Sequence, residues 1–221
     1  MSNSESEPMF TSFDGAIRVY EVNRAHRAFS FDVTFQLDHP HLIELASTQK
    51  PPLHFHPYQD EYIEVLEGTL GVEIEGKEHK LVPEDGELLV RRWKSHRLYP
   101  VVDSGAKTVR FLLSGEETSQ PFKLDAIFFQ NWYGYQDKVM LEGGRFDPIQ
   151  VINMFDAGDS YLSFPAFLPF GKRLAQAVGI VIGRWLGGLL GYQPFHRQWT
   201  TDWQTACKRM EASIFLKRYA H

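Results

Sequence analysis

The chain has 221 residues, 43% of them apolar and 23% charged, with a net charge of −5. These values fit one globular domain with an appendage and exclude a collagen-like, disordered or multi-span membrane chain. The acidic balance gives no electrostatic reason to expect nucleic acid, and the single cysteine excludes an intramolecular disulfide and suits a reducing, cytoplasmic setting.

Residues 1–12 read as a flexible arm. Its start, Met1–Pro8, is polar and acidic and has neither the basic nor the apolar region of a signal peptide. Residues 13–115 have strand texture, with short Val, Ile, Phe, Tyr and Thr runs broken by Gly, Pro and Asp. Strands are expected at Ile17–Val22, Phe29–Phe35, Leu42–Ala46, Tyr62–Leu66, Leu70–Ile74, Leu88–Arg92 and Val109–Leu113. In Leu70–Glu75 apolar and polar positions alternate, and Glu75-Gly76-Lys77 reads as a hairpin turn. Many short strands with close turns predict a sandwich or barrel. Residues 116–221 form a helical C-terminal extension, with helices expected at Ser119–Lys138, Asp147–Phe155, Phe170–Tyr192 and Thr200–Tyr219.

The stretch Pro51–Gly68 carries the chemistry. Residues two apart share a strand face, so His54 and His56 point one way with Phe55 opposite. Glu61 follows after four residues and shares parity with Ile63 and Val65, while Asp60 and Glu64 are competing carboxylates. His96 comes after the run Gly86–Arg91. It suits a ligand, or a barrel histidine bonded to a carbonyl. His39-Pro-His41 imitates the ligand spacing but lacks a downstream Glu and reads as a turn, and His79 reads as exposed. Imidazoles with one carboxylate suit a divalent transition metal among Fe, Mn, Ni, Cu and Zn.

His54, His56, Glu61 and Gly68 resemble the first motif of the cupin superfamily: His-x-His, four residues, Glu, six residues, Gly. Gly86 to His96 resembles the second motif, after a spacer of about seventeen residues. Thr48 stands where the first motif opens on Gly. Arg92-Trp93-Lys94-Ser95 precedes His96 where the second motif has Pro and Gly. The resemblance covers about a quarter of the chain. It implies an all-β, antiparallel jelly-roll (cupin) barrel with a helical C-terminal extension and a metal held by His54, His56, Glu61 and His96. The likeness is to fungal cupin-domain proteins of secondary metabolism, which implies an oxidoreductase or cyclase acting on an aromatic or polyketide-like small molecule. Alternatives are a metal-free cyclase, a non-catalytic binding or sensing barrel, and a structural protein that assembles through its glycine-striped helix.

The aromatic-rich stretch Ala126–Tyr135 is either a helix packed on the barrel or a substrate-binding wall through Phe128, Phe129 and Trp132. Gly179, Gly183, Gly187 and Gly191 form one stripe on a helix, which predicts close packing within the chain or across a homodimer. Arg184 interrupts the apolar run and argues against a membrane span. Phe170–His221 carries eight Lys/Arg against two Asp/Glu, which gives +6 and leaves −11 for the first 169 residues. A basic tail packed on an acidic body accounts for this, and contact with a membrane surface or a partner is the other reading. No phosphate-binding loop or nucleophile elbow occurs, and Cys207 reads as a packed thiol.

Overall fold

The computed structural model describes residues 7–48, 50–101, 105–165 and 167–221. Its strands are β1 (Phe10–Ser12), β2 (Ile17–Glu21), β3 (Arg27–Gln36), β4 (His54–Phe55), β5 (Glu61–Glu67), β6 (Leu70–Ile74), β7 (Lys77–Leu81), β8 (Glu87–Val90), β9 (His96–Pro100), β10 (Thr108–Glu116) and β11 (Tyr161–Leu162). Its α-helices are α1 (Pro40–Thr48), α2 (Ala126–Met140), α3 (Pro148–Ala157), α4 (Gly171–Val178), α5 (Gly188–Leu190) and α6 (Trp203–Glu211). The chain divides into two units. The first comprises residues 1–51, 60–90 and 96–117. The second comprises 52–59, 91–95 and 118–221, so it takes two short segments from the middle of the sequence.

The first unit is the antiparallel jelly-roll barrel. One sheet runs β1-β2-β3-β10-β5-β8, and in the other β6 pairs with both β7 and β9. Period-two alternation sets the inner face: Glu61, Ile63 and Val65 of β5 are buried, as are Val109, Phe111 and Leu113 of β10. Phe111 stands opposite Val33 on one side and Val65 on the other, which places large side chains at the middle of the sheet. The β6–β7 hairpin closes on Glu75-Gly76, both at positive φ (50° and 80°). This is the primed-turn geometry that matches strand twist.

Two expectations for this unit are corrected. The arm expected over residues 1–12 ends in strand β1, where Phe10 pairs with Val19, and residues 1–6 lie outside the described residues. The strand expected at Leu42–Ala46 is helix α1. Leu42 is buried, Ile43 and Glu44 are exposed, and partial burial returns at Leu45, a spacing of three rather than two. Pro40 in the first turn starts this helix, where its missing N–H costs nothing.

The second unit is mainly helical. Asp125, Asp147 and Asp202 cap α2, α3 and α6 by accepting N–H groups from Phe128, from Ile149 and Gln150, and from Thr205. The cap at Asp125 delays α2 to Ala126 rather than Ser119, and α6 ends at Glu211 rather than Tyr219. Strand β4 pairs with β11, setting His54 opposite Leu162 and Phe55 opposite Tyr161.

The helix expected at Phe170–Tyr192 is α4, a π-helical stretch Gly179–Gly187, and α5 in succession. A Cβ on Gly179 would lie 2.5 Å from the Tyr161 ring, and one on Gly183 would lie 2.7 Å from the Ile152 carbonyl oxygen of α3. The glycine stripe therefore packs within the chain. Asn153 of α3 donates to the Gly183 carbonyl oxygen at 2.7 Å, a side-chain hydrogen bond within the widened turn. Gly191 leaves the stripe and ends the helix at φ 114°. No helix among the described residues is long and apolar enough to cross a membrane.

Two outcomes follow from this packing. Gly183→Ala is expected to lower stability by about 2 kcal/mol, because backbone cannot retreat as a flexible side chain can; denaturant unfolding measures it. His196, packed against Trp199, has its pKa pushed down to about 4 by burial. The unfolded chain takes up that proton first, so stability present above pH 6.5 is lost as pH falls toward 4. In His196→Phe the acid limb of the thermal-melt profile should flatten over that window.

Candidate metal centre

Glu61 opens β5 and His96 opens β9, so the two sit in different sheets of the first unit. Their side chains meet in its interior, with His96 Nε2 at 2.7 Å from Glu61 Oε2. Glu61 is 3% exposed and His96 1%. Strand parity explains Glu61: the alternation that buries Ile63 and Val65 carries the carboxylate to the same face. The partner of His96 Nε2 is thus a carboxylate. Asp60 is also buried, with its N–H donating to Glu116, while Glu64 pairs with Arg24 at 2.8 Å on the partly exposed side of the sheet.

His54 and His56 belong to the second unit. Their rings lie 5.1 Å apart between centroids, and Phe55 between them is fully buried. His56 Nδ1 lies 3.3 Å from the Asp159 carbonyl oxygen. A carbonyl only accepts, so in this contact Nδ1 carries the proton and Nε2 keeps the lone pair that a metal needs. Tyr58 N–H donates to the Asp159 carboxylate at 3.2 Å, holding the same loop a second time. Burial pushes the Asp159 carboxyl up to about 8, against the opposing Tyr58 hydrogen bond.

The turn before His96 explains how the second motif departs from its pattern. Trp93 adopts φ 67°, a left-handed conformation that a bulky residue takes at a cost. Its neighbours hold it there. The indole stacks on Phe55 at 5.5 Å, and the Arg173 guanidinium lies 4.5 Å over the ring. The Trp93 N–H donates to the His56 carbonyl, and Lys172 donates to the Trp93 carbonyl at 2.6 Å.

A second buried cluster stands beside Asp159. Arg184 grips Asp156 with two hydrogen bonds, at 2.7 and 3.0 Å, and the Tyr161 hydroxyl donates to Asp156 at 3.2 Å. Burial raises the Asp156 carboxyl, and the Arg184 charge opposes that rise. This pair accounts for the cation inside the apolar run.

Of the expected aromatic wall, Phe128 is buried, with its ring pressed on Gly158, while Phe129 and Trp132 are half-buried. Phe155 joins this helix to the histidine loop. Its ring meets Trp132 at 4.8 Å, Phe128 at 6.1 Å and His54 at 6.2 Å, each edge to face. The same ring borders an apolar cleft of about 70 Å³, enough for a substituent rather than a whole metabolite.

Asp159, Asp156, Trp93 and Phe155 were not singled out from the sequence. Asp159 is 103 residues from His56 and contacts it through its backbone, which leaves no spacing signature. Asp156→Asn should leave the half-buried Arg184 without its hydrogen-bonded carboxylate and cost about 3 kcal/mol in thermal unfolding, while Tyr161→Phe should cost about 1 kcal/mol.

No family model matches the chain. It is 44% identical to the probable oxidoreductase yanE of Aspergillus niger over 97% of its own length and 84% of that protein. It is 42% identical to the epoxidase atD of Aspergillus terreus, over 76% of its own length and 52% of that protein. Among solved structures, the Cnp3 cupin domain of Schizosaccharomyces pombe covers 53% of this chain and 73% of its own, with 13% identity and a TM-score of 0.37. The extent and identity of the match to the Aspergillus niger protein place this chain in one family with it: the chain belongs to a family of fungal oxidoreductases.

Proposed function

We propose that the chain is a metal-dependent oxidoreductase that modifies an aromatic or polyketide-like small molecule inside the barrel. The observation that carries this reading is the buried Glu61–His96 contact, joined to the motif that supplies His54 and His56. His54, His56 and His96 are side chains of the kind that hold a divalent ion.

The donor chemistry fits such an ion. Glu61 Oε2 and His96 Nε2 stand 2.7 Å apart, so one divalent ion could take both as ligands. His54, His56, Glu61 and His96 would hold the ion, and six-fold coordination would leave two positions for substrate or dioxygen. Three imidazoles and a carboxylate accept Fe, Mn, Ni, Cu or Zn, and redox work favours the first two or copper over zinc. A redox-active ion supplies the electron transfer that the family name requires. An epoxidase among the relatives agrees with oxygen chemistry.

The chain's own residues do the positioning. Asp159 holds the His56 tautomer through its carbonyl, so the ring presents Nε2 without searching orientations. Trp93, clamped by Phe55 and Arg173, fixes the turn that delivers His96. Phe155 offers a ring edge beside His54, and Trp132 against it and Phe129 through Phe128 extend that surface, which suits a planar substrate.

Elemental analysis of protein purified without chelator should find about one transition-metal ion per chain. His56→Ala and Glu61→Gln should weaken its retention by tenfold or more and abolish turnover. Trp132→Ala should leave metal content unchanged and raise KM about tenfold, through lost ring contact with substrate. A metal-free wild type with full turnover would instead mark a metal-free cyclase or isomerase.

A further inference from the structure

We propose that the outward face of the segment from Phe167 to Leu190 docks on an anionic phospholipid leaflet. Helices of globular proteins usually turn large apolar side chains inward. Here the inward face is the glycines packed on α3, and the outward face carries Phe170, Leu174, Val181, Trp185 and Leu189, all exposed. These positions recur at steps of four, seven, four and four, a single stripe along the run. Phe167 and Phe170 precede the helix at 86% exposure each, and Phe170 is turned outward at φ 56°. Ile214, 74% exposed, comes from the C-terminal segment, where Phe215 stacks on Trp185 at 5.8 Å.

Charge selects the occupant. Arg173, exposed, stands at the start of the stripe. Arg218 donates to the carbonyls of Gly188 and Leu189 at its end, with Lys217 beside it. No Asp or Glu occurs from 160 to 201 or from 212 to 221. A two-fold interface between copies would set this patch against itself and leave its cations without acidic partners. Lipid phosphates and phosphatidylserine carboxylates supply those partners. The run is too short and too interrupted to cross a bilayer. Arg184 is turned to Asp156, so the apolar stripe can sit at the headgroup boundary with exposed Phe and Trp side chains inserted.

Co-sedimentation of the full chain with phosphatidylcholine vesicles, with and without phosphatidylserine, tests this. Binding should require phosphatidylserine and weaken in high salt. Phe167→Glu combined with Leu189→Glu should lower binding about a hundredfold with circular dichroism and thermal unfolding unchanged. Lys217→Glu should reduce the phosphatidylserine dependence. Absence of binding by the wild type, or equal binding by the double variant, overturns the proposal. So does a wild-type dimer that leaves vesicles unbound and dissociates in the double variant, since a second copy would then cover the face.

Discussion

A carboxylate and an imidazole meet in the interior of the first unit, where burial strips both of water, and the candidate site depends on that contact. Glu61 and His96 lose nearly all contact with water, a change that strongly disfavours an unpaired charge or an unmet hydrogen bond. Their 2.7 Å contact offsets it, and it links the opening residues of β5 and β9 from opposite sheets. Apolar side chains of similar volume would satisfy this interior with less risk, as buried ion pairs seldom out-compete hydrophobic packing.

The second unit shows the same economy in a different form. His56 is oriented by a backbone carbonyl, its loop is tied again through Tyr58, and the turn at Trp93 is held against its own strain by stacking from both Phe55 and Arg173. Asp159 and Asp156 lie three residues apart at the end of α3, and Arg184 neutralises the more deeply buried of the two. The π-helical stretch sits where the glycines close on α3, and the side chains it cannot bury face outward. The helical segment is therefore part of the structure that aims the histidines.

Much of this was legible in the residues. Parity alone put Glu61 with Ile63 and Val65, and Glu75-Gly76 announced the β6–β7 hairpin. The four-residue glycine spacing announced close helix packing. What escaped shares a physical reason. Helix α1 carries too few apolar residues for a period of three to stand out against a period of two. Strand β9 opens on a histidine and ends on a proline, and gains its strand character from pairing with β6. Asp159 acts through its carbonyl, which every residue owns, and Trp93 occupies a conformation that sequence rules reserve for glycine. Contacts made by the backbone, and strain relieved by distant neighbours, leave no mark on composition or spacing.

X-ray absorption at the metal edge of the protein as purified tests the central claim most directly. The account predicts a first shell of nitrogen and oxygen only, with outer-shell scattering from about three imidazoles, lost in a His56→Ala, His96→Ala double variant. A shell containing sulfur, one made of water alone, or one unchanged in that variant would contradict it.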